Sequence, residues 1–346
     1  MPGSPGLTPP VRPLEREMTK PLMLAGCLLA ALPAFAEDMP TLTVYAPEYF
    51  TSEWGPGPKI EEGFEAICKC DLKFVAGDVL PRILLEGENT QADVVIGLNT
   101  DVSARARATG LFAPHGQDLA SLTMPVAWED AVFLPFDWSE TAFIYDRTKL
   151  ANPPASFADL LAAPAHAYKI AIQDPRASTS GLALLLWVKH IYGDKAGEAW
   201  AKLSPKVLTV TQDWSESYGL FTEGEADMVL SFTTSPAYHR IAEGDDTKVA
   251  AIFPEGHYFY AELAAQLKGA KHPELAQAFM DYILSDAFQG MIATANWSYP
   301  VIEKPGFLPE GFATLPRPET TFFYSEEEAE ALRGPAVEEW RANFGK

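Results

Sequence analysis

The chain has 346 residues, of which 47 % are hydrophobic and 12 % aromatic, and 47 acidic against 26 basic residues give a net charge of −21. This length accommodates about two domains with buried cores of roughly 150 residues each, and the apolar content excludes an intrinsically disordered chain. The negative charge argues against nucleic acid or an anionic membrane surface as the partner, and three cysteines exclude a disulfide-dense miniprotein and a four-cysteine zinc site.

The amino-terminal segment 18–36 has the three parts of a secretory signal peptide. Lys20 supplies the basic start, residues 22–32 form the apolar run, and Ala-Phe-Ala supplies the small-x-small end. The run is shorter than the roughly 20 apolar residues that a membrane span needs. We therefore expect residues 1–36 to be removed after Ala36. The remaining 310 residues carry 23 basic and 45 acidic side chains, a net charge of −22, and are expected in the periplasm.

The cysteines fit an exported protein. If Cys27 leaves with the signal segment, Cys68 and Cys70 remain as Cys-Lys-Cys. An oxidising compartment favours a disulfide between them, in a small ring that stabilises the fold only modestly. A metal site is the alternative, but two thiolates without a nearby histidine supply at most half of its ligands.

From residue 42 onward, strand and helix patterns alternate. Strands are predicted at 42–45, 72–75 and 93–98, and helices at 59–67, 81–86 and 101–109. The run at 93–98 is continuously apolar, as in a parallel strand that is buried on both faces. This alternation indicates a parallel α/β sheet.

A second α/β series follows two strand-like pieces at 131–135 and 142–145. Its predicted strands are 170–172, 207–210, 227–232, 250–253 and 258–267, and its predicted helices are 181–192, 215–222, 236–243 and 272–292. Ser325 and Glu328 have the spacing of a capping box at the start of the last helices, which Gly334-Pro335 is expected to break.

Two α/β series with connecting strands near 131–145 and 250–265 predict two lobes and a hinge. The first lobe would comprise residues 37–136 and the return segment 256–346 with the carboxyl-terminal helices, and the second lobe residues 137–255. In open α/β sheets, ligands lie outside the carboxyl ends of the strands. The cleft between the lobes is therefore the expected ligand site.

Four loops that follow predicted strands carry the candidate binding residues. They are 46–58 with Tyr49 and Trp54, 173–181 with Ser178 and Thr179, 211–218 with Trp214, and 231–238 with Phe232 and Tyr238. The late motif Asn-Trp-Ser-Tyr-Pro adds Trp297. Aromatic faces attract cations, with about 0.5–2 kcal/mol per good contact.

The hydroxyl-rich start of the helix at 178–181 suits a phosphate or carboxylate, since free N–H groups and the positive end of the dipole lie there. Together with the aromatic loops, it predicts a ligand with a cationic aromatic body and an optional phosphate. The alternatives are that 46–58 is a self-packed Ω-loop and that the hydroxyls only cap the helix.

Patterns typical of catalysis do not occur in the sequence. It lacks G-x-S-x-G, H-E-x-x-H, Walker A and G-x-G-x-x-G motifs, and its six histidines have no metal-ligand spacing. The sequence therefore favours a binding protein over an enzyme.

Several stretches together resemble the periplasmic thiamine-binding proteins, the substrate-binding component of thiamine ABC importers. They extend over about 42–340 and include W-G-P-G-P at 54–58, Q-D-P-R at 173–176, W-S-E at 214–216, T-T-S-P-A-Y-H at 233–239 and N-W-S-Y-P at 296–300. The resemblance implies an α/β, two-lobed type II periplasmic-binding-protein fold, with two parallel-rich sheets joined by hinge strands. It further implies thiamine, thiamine monophosphate or thiamine diphosphate as the ligand, no cofactor or metal, and a membrane permease as the partner of a monomer.

The resemblance also assigns roles to individual positions. It places Trp214, Tyr238 and Trp297 along the site and Ser178 near the phosphate end, and it makes Asp78 the candidate acid for the thiamine cation.

The chain departs from the family's pattern at two positions. Pro47 and Phe232 stand where a tyrosine is expected, with Tyr49 as the candidate substitute for the first. Phe232 keeps an aromatic face but loses a hydroxyl, which is worth about 0.5–1.5 kcal/mol if the ligand uses it. The preference among thiamine and its phosphates therefore stays open.

Two other functions remain as alternatives. A binding protein of the same fold could carry ferric ion, which needs clustered tyrosine, histidine and carboxylate ligands, or a polyamine. A secreted hydrolase would need a nucleophile or metal that the sequence does not display.

Overall fold

A computed structural model describes residues 39–52 and 55–344. The predicted signal segment with Cys27, and Trp54 of the first candidate loop, lie outside these residues. The strands are β1 (Thr41–Ala46), β2 (Asp71–Ala76), β3 (Val94–Asn99), β4 (Leu134–Asp146), β5 (Ile170–Gln173), β6 (Val207–Thr211), β7 (Met228–Phe232), β8 (Lys248–Ala251), β9 (His257–Gln266), β10 (Tyr299–Pro300) and β11 (Thr321–Phe322).

The helices follow the strands in the expected alternation. They are α1 (Gly57–Cys68), α2 (Val79–Glu86), α3 (Thr100–Ala108), α4 (Phe157–Ala162), α5 (Thr179–Tyr192), α6 (Ala196–Leu203), α7 (Trp214–Thr222), α8 (Pro236–Tyr238), α9 (Pro273–Ile283), α10 (Asp286–Ala295), α11 (Glu310–Ala313) and α12 (Glu326–Asn343). Across the two described ranges, no helix has both the length and the apolar composition that crossing a membrane requires.

The strands form a mixed sheet whose main path is β2-β1-β3-β9-β4-β7-β5-β6. Parallel pairing joins β1 to β2 and β3, and it joins β5 to β6 and β7. The central strand β4 is antiparallel to β9, β7 and β8. We call β1–β3 with β9 and β10 the first half of the sheet, and β5–β8 the second half. Each half contains one of the two α/β series that the sequence predicts.

β4 is a single strand, whereas the sequence predicts two separate pieces around 136–138. Its first part, through Glu140, pairs with β9, and from Thr141 onward it pairs with β7 and β8. The strand therefore runs from the first half of the sheet into the second. Pairing on both edges buries the polar residues that interrupt the apolar pattern, and the strand continues through them.

Two helix predictions were wrong about interruptions: one break was missed, and one predicted break does not occur. The predicted helix over 272–292 is two helices, because the Ser285 hydroxyl accepts a hydrogen bond from the Phe288 N–H at 3.3 Å and caps a new start. α12 begins with the predicted capping box of Ser325 and Glu328 but continues through Pro335. Buried residues on both sides of the proline hold α12 together: Ala329, Ala336 and Trp340. Sequence patterns also missed α4 and α6.

α12 packs against α3 of the first half and against α5 and α6 of the second. Arg107 of α3 forms an ion pair with Glu326 at 2.6 Å, and Lys189 of α5 forms one with Glu339 at 3.0 Å. The carboxyl-terminal helix therefore contacts both halves and helps to position α5, whose amino-terminal end contributes hydroxyl groups to the candidate site.

The Cys-Lys-Cys motif forms a disulfide between Cys68 and Cys70 at the end of α1. Lys69 between them has a φ angle of +54°. We expect the double substitution of both cysteines by serine to lower the free energy of unfolding by at most roughly 1.5 kcal/mol, because so short a ring removes little entropy from the unfolded chain. Urea unfolding of both proteins measures this difference, and a loss above about 3 kcal/mol would contradict the entropic account.

His257 is a buried neutral histidine at the start of β9. Its Nδ1 lies 2.8 Å from the Thr141 carbonyl oxygen, and its Nε2 accepts a hydrogen bond from the Phe253 N–H at 2.8 Å. The ring also packs against Trp187, with 5.0 Å between the ring centroids. Because a protonated Nε2 could not accept, the ring is neutral with the proton on Nδ1. Burial lowers the pKa of His257 to about 4.

We expect this histidine to make the fold acid-sensitive. Its contribution to stability is complete above the unfolded-state pKa of about 6.5, and it is lost as the pH falls toward the folded-state pKa. By pH 4.5 the loss amounts to about 2–3 kcal/mol. Urea unfolding of the wild type and of His257→Gln, each at pH 7.5 and pH 4.5, isolates this contribution. The variant should lose less stability between the two pH values, and equal losses would exclude His257 as the cause.

Candidate functional site

The candidate site lies along β9, where β4 passes between the two halves of the sheet. Tyr260 and Glu262 are alternate residues of β9 and therefore point to the same face. The Tyr260 hydroxyl lies 2.7 Å from the Thr179 hydroxyl at the start of α5. The Tyr49 hydroxyl, from the turn after β1, donates a hydrogen bond to Glu262. One strand face thus brings together residues of the first and second candidate loops.

The predicted aromatic residues lie close to this face in contacting pairs. Tyr238 and Trp297 are in an edge-to-face arrangement with 5.1 Å between ring centroids. The Phe232 ring lies 4.9 Å from the Tyr260 ring. Tyr238, Trp297 and Phe232 are half-buried, so each retains an accessible part of its aromatic surface. Such ring pairs fix the orientations of the aromatic side chains.

Trp214 is fixed at the first position of α7. The Asp213 carboxylate caps the helix by accepting from the Glu216 N–H at 2.9 Å. The indole Nε1–H of Trp214 donates to the Ser231 hydroxyl at 2.8 Å, and its ring stacks on Tyr218 at 4.7 Å. Since Ser231 directly precedes Phe232 in β7, the third and fourth candidate loops meet here.

Hydroxyl groups at the start of α5 form hydrogen bonds within the protein that stabilise the fold. Ser178 caps the helix, with its hydroxyl 3.5 Å from the Gly181 N–H and 2.8 Å from the Ser180 hydroxyl. Ser180 in turn donates to the Gln173 amide oxygen at 2.9 Å. A Cβ at Gly181 would lie 2.6 Å from the Gln173 carbonyl oxygen, so only glycine allows α5 to begin this close to β5. Ser178 and Thr179 stay half-buried at the helix start.

Asp78 does not join these residues. It is the exposed N-cap residue of α2, and its side chain makes no capping hydrogen bond. Within the described part of the chain, no hydrogen bond or ring contact links Asp78 to the aromatic residues. Its role as the acid for a cation therefore stays a prediction, and so do the binding roles of the other candidate residues.

Sequence reasoning missed a pair of buried acids. Asp137 of β4 lies opposite Glu262 of β9 in the strand register, and the two residues are 1 % and 6 % exposed. The Asn296 side-chain amide donates to both carboxylates, at 2.5 Å to Asp137 and 2.7 Å to Glu262. The sequence contains a signal for this pair, because apolar residues flank each acid within its strand.

Burial governs the electrostatics of this pair. It raises the pKa of Asp137 well above the usual range, and the charge of Glu262 raises it further. Burial likewise raises the pKa of Glu262, against the hydrogen bonds from Tyr49 and Asn296. The pKa of Tyr49 is also raised by burial and by the charge of Glu262. The site therefore combines aromatic faces with acidic groups that would be stabilised by a positive charge.

The geometry does not favour a metal centre. Among residues 39–52 and 55–344, no group of three or more histidine, cysteine, aspartate or glutamate side chains could hold a metal ion. A surface cavity of about 330 Å³ lies elsewhere, beside α1 and β2, where Thr51, Glu61 and Lys73 line it. Of the candidate aromatic residues that the structure describes, none lines this cavity.

Comparison with known proteins gives consistent matches. Residues 69–305 match the family described as bacterial extracellular solute-binding protein. The thiamine-binding periplasmic protein of Salmonella typhimurium is 46 % identical over 318 residues, which cover 91 % of this chain and 96 % of the relative. The protein of the same name from Escherichia coli is 46 % identical over 327 residues, which cover 92 % of this chain and 98 % of the relative.

Solved structures agree with these matches. A structure described as a periplasmic thiamin binding protein has a TM-score of 0.87 and 45 % sequence identity, and the match covers 91 % of this chain and 99 % of that one. Iron-bound HitA from Pseudomonas aeruginosa has a TM-score of 0.70 at 20 % identity, over 88 % of this chain and 99 % of that one. The second likeness concerns the fold alone.

Proposed function

Because the chain belongs to the bacterial extracellular solute-binding protein family, we propose that it captures thiamine or a thiamine phosphate and delivers it to an ABC permease. The protein is periplasmic, and its fold is the two-lobed type II periplasmic-binding-protein fold that the sequence predicts. Its relatives are named thiamine-binding periplasmic proteins, which agrees with a binding role.

The convergence of aromatic and acidic side chains at β9 carries the proposal. Thiamine combines a cationic thiazolium ring with an aromatic pyrimidine ring. The half-buried faces of Trp297, Tyr238 and Phe232 suit the two rings, with about 0.5–2 kcal/mol for each cation–π contact. The buried carboxylates of Asp137 and Glu262 supply negative charge beside them. A ligand without a cationic group would gain nothing from this charge.

The orientation of the ligand follows from the start of α5. Ser178 and Thr179 lie at the positive end of the helix dipole, where a hydroxyl or phosphate group is stabilised. We place the hydroxyethyl or phosphate end of the ligand there. The ligand is cargo, so the proposed function needs neither a cofactor nor a resident metal, and a monomer suffices for it. For the ferric-ion alternative, the described ranges contain no group of three or more histidine, cysteine, aspartate or glutamate side chains that could hold a metal ion.

Titration of the chain from residue 37 onward with thiamine, thiamine monophosphate and thiamine diphosphate tests the proposal. Tryptophan fluorescence should change with a 1:1 stoichiometry at micromolar or lower concentrations, because three of the candidate residues are tryptophans. No response to any of the three ligands, in the fluorescence or in binding heat, would overturn the proposal.

A pair of serine variants tests the proposed orientation. Ser178→Ala should weaken the binding of both phosphates more than the binding of thiamine, because the lost hydroxyl lies at the phosphate end. Ser156→Ala is the matched control, since Ser156 caps α4 by accepting from the Asp159 N–H at 2.9 Å. It removes a helix cap away from the site and should leave all three affinities unchanged. Equal losses for thiamine and its phosphates in Ser178→Ala would place the phosphate elsewhere.

A further inference from the structure

The acid pair of Asp137 and Glu262 is buried without a basic partner. None of the ion pairs formed by described residues includes either acid. Asn296, which bridges the two carboxylates, is neutral. Asp137 Oδ1 is also buried without a hydrogen-bond partner among the described residues. A buried, unpaired carboxylate oxygen is costly, and a proton on this oxygen would lower that cost.

The other groups near the pair cannot neutralise it. Tyr49 donates to Glu262, and the ring hydroxyl of Tyr260 lies within electrostatic reach of both acids. Asp101 of α3 lies beyond Tyr260, and it also adds negative charge when ionised. Each of these groups is neutral or acidic, so the surroundings disfavour two negative charges on the pair.

Two carboxylates this close and this buried cannot both ionise without a counter-charge. One proton shared between them relieves the repulsion, as in other buried carboxyl dyads. The direction of the pKa change agrees, since burial raises the pKa of both acids. The register that places the two acids opposite each other, their burial and the lack of a basic partner therefore favour one shared proton, and so one negative charge, on the pair in the free protein.

The position of the pair relates it to the ligand. Asn296 is the residue before Trp297, and Tyr49 lies in the turn after β1 that belongs to the first candidate loop. We propose that Asp137 and Glu262 together are the counter-charge for the cation of the ligand, and that their shared proton is released when the cation binds. This inference rests on the proposed function and names an acid other than Asp78 for the cation.

The proton balance of the step is simple. The O–H bond of the protonated carboxyl group breaks, its electron pair stays on the carboxylate oxygen, and the proton passes to the buffer. The pair then carries two negative charges beside the positive ligand. Binding should therefore strengthen as the pH rises toward the raised pKa of the pair, by up to about tenfold per pH unit.

Isothermal titration calorimetry with thiamine tests this release. Titrations at pH 7 in phosphate and in Tris, which differ in ionisation enthalpy, should give different heats that correspond to the release of between half a proton and one proton per thiamine. Equal heats with retained binding would overturn the inference and leave the proposed function intact. Absence of binding with thiamine and with both of its phosphates would overturn the inference and the proposed function together.

Variants assign the proton to the pair. Asp137→Asn cannot share a proton, so its binding heat should be the same in both buffers and its affinity should be nearly independent of pH. Glu262→Gln should behave in the same way, and it supplies the test if Asp137→Asn does not fold. Asp194→Asn removes an exposed carboxylate after α5 and should release the proton as the wild type does. Proton release that persists in a folded variant of the pair would overturn the assignment.

Discussion

Trp297→Gly is expected to weaken thiamine binding by about tenfold or more while it removes a backbone strain. Trp297 has a φ angle of +54°, in the left-handed region that side chains other than glycine rarely occupy. An L-residue held there costs roughly 1–2 kcal/mol, and such strain is typical of functional sites. The ring lies half-buried against the edge of Tyr238, where it is placed to contact a ligand.

Comparison with Trp297→Ala separates the two effects. Both variants lack the indole ring, so both should bind thiamine equally weakly in a fluorescence or calorimetric titration. Urea unfolding should find Trp297→Gly more stable than Trp297→Ala by about 1 kcal/mol, because alanine keeps the strain. At an ordinary helix or strand position the order is the reverse. Wild-type affinity in Trp297→Gly would show that the indole ring does not contact the ligand. A Trp297→Ala variant more stable than Trp297→Gly would show that the backbone at this position is not strained.

Gln289→Met is expected to cause the largest loss of stability, at least about 3–4 kcal/mol. Gln289 of α10 is fully buried and uses its whole side-chain amide. Its Nε2 donates to the carbonyl oxygens of Phe136 at 3.0 Å and Ile283 at 2.9 Å. Its Oε1 accepts from the N–H groups of Val301 at 2.8 Å and Ile302 at 3.2 Å. Methionine has a similar volume but leaves four buried backbone groups without partners.

The loss should extend to ligand binding, because Gln289 fixes the segment after Trp297 to β4 next to Asp137. Urea unfolding measures the stability, and a thiamine titration of the folded fraction measures the affinity. Gln91→Met is the matched control, since Gln91 is exposed, accepts from the Lys271 side chain and donates to the Asn89 carbonyl oxygen at the surface. Its stability should stay within about 0.5 kcal/mol of the wild type. A similar small change in Gln289→Met would show that the four hydrogen bonds do not stabilise this segment.

Local patterns predicted most of the elements that follow a regular period. The apolar run at 93–98 and the capping box at Ser325 both correspond to elements of the structure. The continuity of β4 could not be predicted in this way, because β4 is held by pairing with β9, β7 and β8, which are distant in the sequence. The same holds for α12, which continues through Pro335 because packing on both sides of the proline outweighs its local cost.

The candidate site also contains residues that local sequence patterns predict and residues that only long-range pairing brings together. Trp214 and Tyr238 could be named from the sequence because they are aromatic residues in segments that follow predicted strands, and Trp297 could be named because it lies in the N-W-S-Y-P motif. Asp137 and Glu262 are more than one hundred residues apart, and only the antiparallel register of β4 and β9 places them opposite each other. An acid within an otherwise buried strand is the sequence signal for such a pair.

The most direct measurement is a calorimetric titration of the ligand-free chain from residue 37 onward with thiamine. The account predicts saturable 1:1 binding at micromolar or tighter affinity, together with a heat that depends on the buffer. Absence of binding heat and of fluorescence change with thiamine and with both of its phosphates would contradict it.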